Sequence, residues 1–323
     1  MNNEHISKPK AYFLVAILGM STVVAALGMS NLATTWGKQV AGNREGSTED
    51  ANVNHTPFPN VALSAKAAVV YDATTGQVLF QKNAEAQVPL ASLTKIMLAV
   101  TARDLLPKDA TIAIDAKFLK ETGDTGLREG QEWTLKNILD KTLVESSNDG
   151  AAAIAGAYAA FEKNTSTSSV ESVESRFLGA MNAKAHSLGL SQTYFLNVTG
   201  LDVNSTISGG YGSAKDVAKL LSYAVKTYPD VFEATSYEEI TVSSIGKTKY
   251  KVENTDTIIS EIPGLIASKT GYTDLAGGNL AVLFDVGPMR PIAIVVLGST
   301  EDGRFSDTLA LVNTTLSFIT KSE

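Results

Sequence analysis

The chain of 323 residues has a net charge of −7, with 44% hydrophobic and 19% charged residues, a balance that excludes a disordered or collagen-like chain. It contains no cysteine, which excludes thiol catalysis, disulfides and thiolate metal sites. The negative charge leaves no basic field for nucleic acid. The three histidines, His5, His55 and His186, are too far apart in sequence to suggest a histidine-rich metal centre. We therefore predict no metal ion, no cofactor and no nucleic-acid partner.

The N-terminal region contains an uncharged run of 19 residues, AYFLVAILGMSTVVAALGM, at positions 11–29. At about 1.5 Å per residue this run is long enough to cross a hydrocarbon core of about 30 Å. Lys8 and Lys10 precede it, which predicts a cytoplasmic N-terminus and an extracytoplasmic domain. The run is longer than a typical signal-peptide core and lacks a clear A-x-A site, which favours a retained single-pass anchor in a bacterial cell membrane over a cleaved signal sequence. We expect a cytoplasmic tail (1–10), a transmembrane anchor or signal sequence (11–30), a flexible linker (31–60) and a folded domain (61–323).

The folded part begins with a predicted hairpin and ends with predicted strands. AAVVYD and GQVLFQ flank a turn that ends at Gly76, where a tight connection needs a positive φ. Apolar spacing near 3.6 then predicts five helices between about residues 92 and 228. Strands follow as EITVSS, TKYKV, NLAVLFDV and RPIAIVVLGS, the last apolar enough for a central strand, and SDTLALVNTTLSFIT predicts a closing helix. The order indicates an α+β domain, with a helical lobe inserted into a sheet built from both chain ends.

The first of three short motifs is Ser92-Leu93-Thr94-Lys95, which follows a proline-led turn and opens an apolar helix. Residues three apart on a helix share a face, so the hydroxyl of Ser92 and the amine of Lys95 can lie within hydrogen-bond distance. A serine nucleophile needs an adjacent base, and lysine can serve if burial or nearby cations lower its pKa. The alternative is a serine N-cap beside a solvated lysine, and this motif alone leaves both open.

The second motif is Ser146-Ser147-Asn148, directly before a predicted helix that begins at Asp149. Short polar residues at a helix start are usually caps, and we expect this role of Ser147 and Asp149. Ser146 and Asn148 alternate, so in extended backbone they would point the same way. A second hydroxyl can transfer a proton, and an amide can hold a substrate amide.

The third motif, Lys269-Thr270-Gly271, lies in a segment whose apolar alternation predicts an edge strand facing a groove. Lys269 and Thr270 on such a strand could bind a carboxylate, and Gly271 would keep the wall of the groove low. Taken alone, this motif is as unspecific as the first.

Together, the three motifs resemble those of the penicilloyl serine transferases, which include the penicillin-binding proteins and the class A β-lactamases, although Ser147 stands where that pattern has Asp. They are separated by 54 and 123 residues. Flanking segments such as LVESSNDGAAAIA, FLNVTGLD and ASKTGYTDLAGGNLA resemble serine-type D-alanyl-D-alanine carboxypeptidases, and the likeness covers about residues 66–320. The resemblance implies a β-lactamase/transpeptidase-like α+β fold with an antiparallel sheet.

The resemblance also implies an acyl-enzyme mechanism on a peptidoglycan stem peptide ending in D-Ala-D-Ala, with β-lactam antibiotics as covalent inhibitors. In it, Ser92 attacks the penultimate carbonyl with Lys95 as general base. Ser146 then relays a proton to the leaving amine, and Asn148 orients the peptide. Water hydrolyses the ester, which completes the removal of the terminal D-alanine during cell-wall remodelling.

The remaining site residues that the resemblance implies bind the substrate. Lys269 supports the proton relay and adds positive potential, while Thr270 holds the terminal carboxylate. The backbone N–H groups of Ser92 and of Tyr272, which follows Gly271, form the oxyanion hole. Arg304 either adds charge near the carboxylate or is an ordinary surface arginine.

Several alternative functions compete with the carboxypeptidase interpretation. A D,D-endopeptidase that cuts peptidoglycan cross-links is not excluded by the motifs. A class A β-lactamase needs a glutamate base between the second and third motifs, and the corresponding region, LGAMNAK, offers none. A non-enzymatic wall-binding module is disfavoured because every catalytic position is filled. A conventional triad would have to use His186, for which, as for Trp133, we expect a structural role.

Overall fold

The computed structural model describes residues 57–119, 123, 126–162, 172–287 and 289–322. The predicted tail (1–10), the predicted anchor (11–30) and most of the predicted linker (31–60) lie outside these residues. In the part of the chain that the structure describes, no helix is both long and apolar enough to cross a membrane.

The described residues form twelve strands and seven α-helices, and each helix and strand predicted for the folded domain is found there. The strands are β1 (Ala67–Asp72), β2 (Val78–Lys82), β3 (Val88–Pro89), β4 (Thr111–Ala113), β5 (Glu132–Thr134), β6 (Tyr194–Phe195), β7 (Gly210–Gly212), β8 (Glu239–Ser243), β9 (Lys249–Glu253), β10 (Leu265–Thr273), β11 (Gly277–Asp285) and β12 (Pro291–Ser299). The helices are α1 (Thr94–Leu105), α2 (Leu135–Val144), α3 (Asn148–Ala157), α4 (Val173–Ser187), α5 (Ala214–Thr227), α6 (Pro229–Phe232) and α7 (Gly303–Ser322).

The main sheet has five antiparallel strands in the order β10-β11-β12-β1-β2. Strands from both ends of the chain therefore meet in one sheet, as predicted. The apolar strand β12 lies at its centre, and β10, which carries the third motif, lies at one edge. Gly76 has a φ of +76° in the turn between β1 and β2, where a side chain would be strained.

Alternate residues of the central strand enter two different hydrophobic clusters. Ile292, Ile294 and Val296 pack with residues of α7 on one face, whereas alternate residues such as Ala293 and Val295 join the cluster of the helical lobe on the other. Because side chains of a strand alternate between faces, only a continuous apolar run can fill both clusters. This explains why β12 lacks the polar alternation of a half-exposed strand.

Strands β8 and β9 do not join the main sheet but form a two-stranded sheet of their own. Their side chains alternate between exposed and more buried positions, with Val242 and Val252 buried. A hairpin with one apolar face can cover a helix, and β8 and β9 both contact α2. Helices α1 to α5 form the helical lobe, and β10 runs along its border, where it contacts the 3₁₀ turn Ala91–Leu93 before α1.

Candidate active site

Ser92 lies in the 3₁₀ turn Ala91–Leu93, two residues before helix α1 begins. Ala91 has a φ of +49°, a left-handed conformation that costs a non-glycine residue roughly 1–2 kcal/mol. Lys95 is completely buried, and its Nζ lies 2.9 Å from Ser92 Oγ. The expected pairing of the first motif is therefore confirmed. The alternative of a capping serine beside a solvated lysine is wrong, because Lys95 has no solvent exposure and the N-cap of α1 is Leu93.

Two further oxygen atoms surround the same amine. Lys95 Nζ donates to Asn148 Oδ1 at 2.7 Å and to the backbone carbonyl of Thr199 at 2.9 Å. A Cβ on Gly200 would lie 2.0 Å from the carbonyl oxygen of Ala91, so only glycine lets this loop approach the 3₁₀ turn. The loop of Thr199 thereby places a backbone carbonyl against the buried amine, where it accepts one of the amine's protons.

The second motif adopts a different backbone from the one that its alternation suggested. Ser146 has a φ of +66°, and Ser147 caps helix α3 by accepting a hydrogen bond of 3.0 Å from the Gly150 N–H. Asn148 is already the first residue of that helix. The capping role of Ser147 is confirmed, and the extended backbone is wrong because Ser146 is left-handed and Asn148 is already helical. Ser146 is partly exposed, two residues from the asparagine that contacts Lys95.

The third motif lies on the edge strand β10, as predicted. A Cβ on Gly271 would lie 3.0 Å from the Leu90 carbonyl oxygen and 3.1 Å from the Ser92 nitrogen, so glycine allows close approach of β10 to the nucleophile. Lys269 is buried, and its Nζ donates to the Thr270 carbonyl at 3.0 Å. Burial, together with the charge of Arg304, lowers the pKa of Lys269 to about 7.

Arg304 is buried at the start of α7 and is not a surface arginine. Its Nη1 donates to the Gly271 carbonyl at 3.2 Å, which places the guanidinium against the third motif. Its Nε has no hydrogen-bond partner among the described residues. Burial raises the pKa of the nearby Asp256 carboxyl, and the charges of Arg304 and Lys269 oppose that shift. The structure thus collects two buried cationic side chains beside Gly271.

An open cavity of about 560 Å³ extends from this site. Thr199, Tyr272 and Asp202 contribute to its lining, and the Tyr272 side chain is half exposed. Asp202 accepts hydrogen bonds from the Thr273 hydroxyl at 3.0 Å and the Leu275 N–H at 3.2 Å. The Asp202 carboxylate thus ties the Thr199 loop to the end of β10, and the cavity offers room for a bound peptide.

The residues expected to be structural are placed accordingly. His186 is exposed on α4. Trp133 is fully buried and its ring centroid lies 5.2 Å from that of Tyr250. Sequence reasoning missed Thr199, Thr255 and Asp256. Thr199 lies within FLNVTGLD, one of the segments that carried the family resemblance, whereas no motif pointed to the other two.

Three comparisons with known proteins agree with this geometry. A 33% identical relative, D-alanyl-D-alanine carboxypeptidase DacF of Bacillus subtilis, aligns over 76% of this chain and 60% of its own length. The chain thus spans less than two thirds of that relative. A D-alanyl-D-alanine endopeptidase of Pseudomonas aeruginosa is 31% identical over 73% of this chain and 71% of its own length. Penicillin-binding protein D2 of Listeria monocytogenes, solved in its ampicillin-bound form, superimposes with a TM-score of 0.63 at 29% identity, over 79% of this chain and 98% of that structure.

A family model described as D-alanyl-D-alanine carboxypeptidase, of the S11 class of peptidases, matches residues 50–300. This range includes all three motifs, and the match covers more than half of the chain. Together with the fold that it shares with penicillin-binding proteins, the match shows that the chain belongs to the D-alanyl-D-alanine carboxypeptidase family of serine peptidases.

Proposed function

We propose that this protein is a D,D-carboxypeptidase that removes the terminal D-alanine from peptidoglycan stem peptides through an acyl-enzyme on Ser92. The observation that carries the proposal is the contact of Lys95 Nζ with both Ser92 Oγ and Asn148 Oδ1, beside a glycine-containing edge strand. This arrangement provides a nucleophile, its base and an amide-binding group in one place. The Bacillus subtilis relative is named a D-alanyl-D-alanine carboxypeptidase, which supports the proposal.

In the acylation step, Ser92 Oγ forms a bond to the carbonyl carbon of the penultimate D-alanine. Its proton passes to the neutral amine of Lys95, which lies 2.9 Å away. The tetrahedral intermediate then collapses, and the amine of the terminal D-alanine leaves with a proton delivered through Ser146. Water attacks the resulting ester, with Lys95 again taking the proton, and Ser92 is regenerated.

The developing negative charge on the carbonyl oxygen needs hydrogen-bond donors that are already in place. We assign this role to the backbone N–H groups of Ser92 and Tyr272. The absence of a side chain at Gly271 supports this assignment, because a Cβ there would lie only 3.1 Å from the Ser92 nitrogen. Glycine therefore allows the two segments to be close enough to share one oxygen atom.

The remaining polar and charged residues of the site would bind the terminal carboxylate of the substrate. Thr270 would donate its hydroxyl proton to the carboxylate, and Arg304 and Lys269 would supply positive potential. The hydrogen bond of Arg304 to the Gly271 carbonyl supports this role, since it holds the guanidinium against the motif. The charge of Asp256 acts on both cations, and the substrate carboxylate would add a further negative charge beside them.

The same site would be acylated by β-lactam antibiotics, as supported by the ampicillin-bound structure of the Listeria monocytogenes protein. The uncharged run at 11–29 supports anchoring to the bacterial membrane, with the catalytic domain outside the cytoplasm. N-terminal sequencing of the protein extracted from membranes tests the anchor. The anchor predicts an intact N-terminus, and a mature chain that begins near residue 31 would establish a cleaved signal sequence instead.

A D,D-endopeptidase remains a second candidate because the Pseudomonas aeruginosa relative carries that name. Such an enzyme cuts the amide between two stem peptides, so its leaving group is much larger than D-alanine. Purified cross-linked dimer muropeptides and linear pentapeptides, offered to the same enzyme, distinguish the two. Faster D-alanine release from the pentapeptide supports the carboxypeptidase, and faster monomer release from the dimer supports the endopeptidase.

Labelling with a fluorescent penicillin tests the acyl-enzyme itself. The Ser92→Ala variant should lose both the covalent label and D-alanine release. Ser187→Ala, a change at an exposed serine at the end of α4, should retain both. Covalent labelling of the Ser92→Ala variant would contradict the assignment of the nucleophile.

A further inference from the structure

Thr255 belongs to none of the three motifs, yet it contacts the segments of two of them. Its Oγ1 lies 2.5 Å from Thr270 Oγ1 of the third motif. Its backbone N–H donates to the Val144 carbonyl at 3.1 Å, two residues before Ser146 of the second motif. We propose that Thr255 is a positioning residue for carboxylate recognition, whose hydroxyl donates to Thr270 and thereby directs the proton of Thr270 to the terminal carboxylate of the substrate. This inference rests on the proposed carboxypeptidase function.

The direction of this hydrogen bond determines whether Thr270 has a proton for the substrate. Each has one proton and two acceptor lone pairs, so only one of the two threonines can donate in the hydrogen bond between them. If Thr270 donated to Thr255, its oxygen would present only lone pairs to an incoming carboxylate. If Thr255 donates, the proton of Thr270 is available to the anion, and the chain of hydrogen bonds polarises in the favourable direction.

The surroundings of Thr255 allow its hydroxyl to take this orientation at little cost. Among the described residues, its other hydrogen-bond acceptor is the Val144 carbonyl, which lies 3.4 Å away and is therefore a weak partner. That carbonyl keeps the hydrogen bond from the Thr255 N–H when the hydroxyl turns to Thr270. No buried carbonyl is then left unsatisfied, so the hydroxyl is free to respond to the ligand.

Fixed backbone holds both hydroxyl groups in place. Thr270 is buried within the nine-residue strand β10, which is paired with β11 along its length. On the other side, the Asn254 N–H donates to the Glu238 carbonyl at 2.7 Å, and its side chain donates to the carbonyls of Thr235 and Tyr237. Thr255 thus projects from a segment that is anchored by Asn254 and by the Thr255 N–H, as a positioning group requires.

The test compares Thr255→Val, which removes the hydroxyl and keeps the branched shape, with Thr255→Ser, which keeps the hydroxyl. Each variant is assayed with two acyl-D-alanine-type thioesters that differ only in a terminal carboxylate or carboxamide. We expect Thr255→Val to lower kcat/KM for the carboxylate thioester by about tenfold, mainly through KM, because the Thr270 hydroxyl is then no longer oriented and polarised toward the carboxylate by its neighbour. We expect a change below about twofold for the carboxamide, and Thr255→Ser to remain close to wild type on both.

The outcomes separate this inference from the proposed function. An equal loss on both thioesters would overturn it, because a purely structural role does not distinguish them, and so would no loss on either. A wild-type protein that reacts equally well with both would overturn the inference while Ser92 acylation stands. A wild-type protein acylated by neither thioester would overturn the proposed function and the inference together. The carboxamide also serves as a folding control within each variant.

Discussion

The two halves of the candidate site are both buried, but their amines have very different surroundings. In the proton-transfer half, Lys95 Nζ contacts three oxygen atoms between 2.7 and 2.9 Å away, on Ser92, Asn148 and Thr199. The carboxylate half comprises Lys269, Thr270, Gly271 and Arg304. There, Lys269 Nζ donates to the carbonyl of Thr270 at 3.0 Å.

This difference supports the two tasks of the proposed function, proton transfer in one half and carboxylate binding in the other. The buried amine of Lys95 is already positioned relative to the nucleophile, so the distance over which the Ser92 proton would move to it is set before substrate binds. A pair of buried cations with a lowered pKa at Lys269 and an unpartnered Nε on Arg304 is a costly arrangement in the free protein. Under the proposed function, the substrate carboxylate would offset part of this cost.

The largest effect is expected from breaking the proton-transfer half. Removing a positioned base typically lowers a rate by about 10² to 10⁴, so Lys95→Ala should lose acylation by penicillin and by peptide to that extent while the domain stays folded. The measurement is the acylation rate constant with each ligand. His186→Ala, a change at an exposed position on α4, should leave it nearly unchanged. A large loss of acylation rate in His186→Ala, with a nearly normal rate in Lys95→Ala, would contradict this mechanism and favour a histidine triad.

A smaller effect is expected from separating the two halves. In Gly271→Ala the new Cβ meets the Leu90 carbonyl oxygen at 3.0 Å and the Ser92 nitrogen at 3.1 Å, which forces β10 away from the nucleophile. Acylation should fall by about 10- to 100-fold, since small displacements of reacting groups cost rate steeply. Gly179→Ala is the matched control, because its Cβ would meet no atom within 4 Å. Equal acylation rates in the two variants would show that Gly271 does not set this distance.

The carboxylate half should respond to pH. Because the pKa of Lys269 is about 7, the amine loses its charge as the pH rises through that value. The affinity for a dipeptide with a terminal carboxylate should then fall by up to about tenfold per pH unit, whereas the carboxamide form should bind without this dependence. Inhibition constants for both ligands between about pH 6 and pH 9 provide the measurement. A carboxylate affinity that is flat over this range would show that Lys269 does not attract the anion.

The same buried amine should affect stability with a definite sign. Its folded-state pKa of about 7 lies below the ordinary value of 10.5, so between these values the unfolded chain still binds a proton that the folded protein has released. The contribution of Lys269 to the free energy of unfolding therefore rises as the pH increases through this window. Urea unfolding of the wild type and of Lys269→Met across that range measures it, and the variant should show the weaker rise. Parallel curves would contradict the low pKa.

The smallest effect concerns the helix cap inside the second motif. Ser147→Ala removes the hydrogen bond to the Gly150 N–H and should cost about 1 kcal/mol of stability. Ser213→Ala is the matched control, since Ser213 caps α5 through the Asp216 N–H at 3.1 Å. Both variants should lose similar stability in thermal unfolding, but only Ser147→Ala should also slow acylation, because its cap positions Ser146 and Asn148. Equal acylation rates in the two variants would show that the Ser147 cap does not contribute to catalysis.

The sequence predicted most of the fold because its signals are local and periodic. The apolar run of β12 indicated a central strand, and the alternation around Lys269 indicated an edge strand. The strands of two or three residues, β3 to β7, escaped prediction because so short a segment has no period. Their pairing is set by tertiary packing, not by their own residues.

Apart from the family resemblance, the candidate site was predictable only where the spacing of two residues places their side chains together. The three-residue separation of Ser92 and Lys95 is such a case, whereas the backbone of Ser146 was misjudged because a left-handed residue before a helix leaves no pattern in sequence. Thr199 meets Lys95 across 104 positions, and it does so through a backbone carbonyl that every residue possesses. Thr255 is an ordinary threonine in a loop. Such contacts exist only once the fold has brought the segments together.

The division between the two halves is tested most directly by acylation rates on a matched pair of thioesters, one with a terminal carboxylate and one with a carboxamide. Wild type, Lys95→Ala and Arg304→Gln are compared on both. We expect the acylation rate of Lys95→Ala to fall by a similar factor with both thioesters. Arg304→Gln should lose about tenfold or more on the carboxylate alone, as expected for a charged hydrogen bond that only the acid can make. An equal loss on both thioesters in Arg304→Gln would contradict the division of tasks within the site.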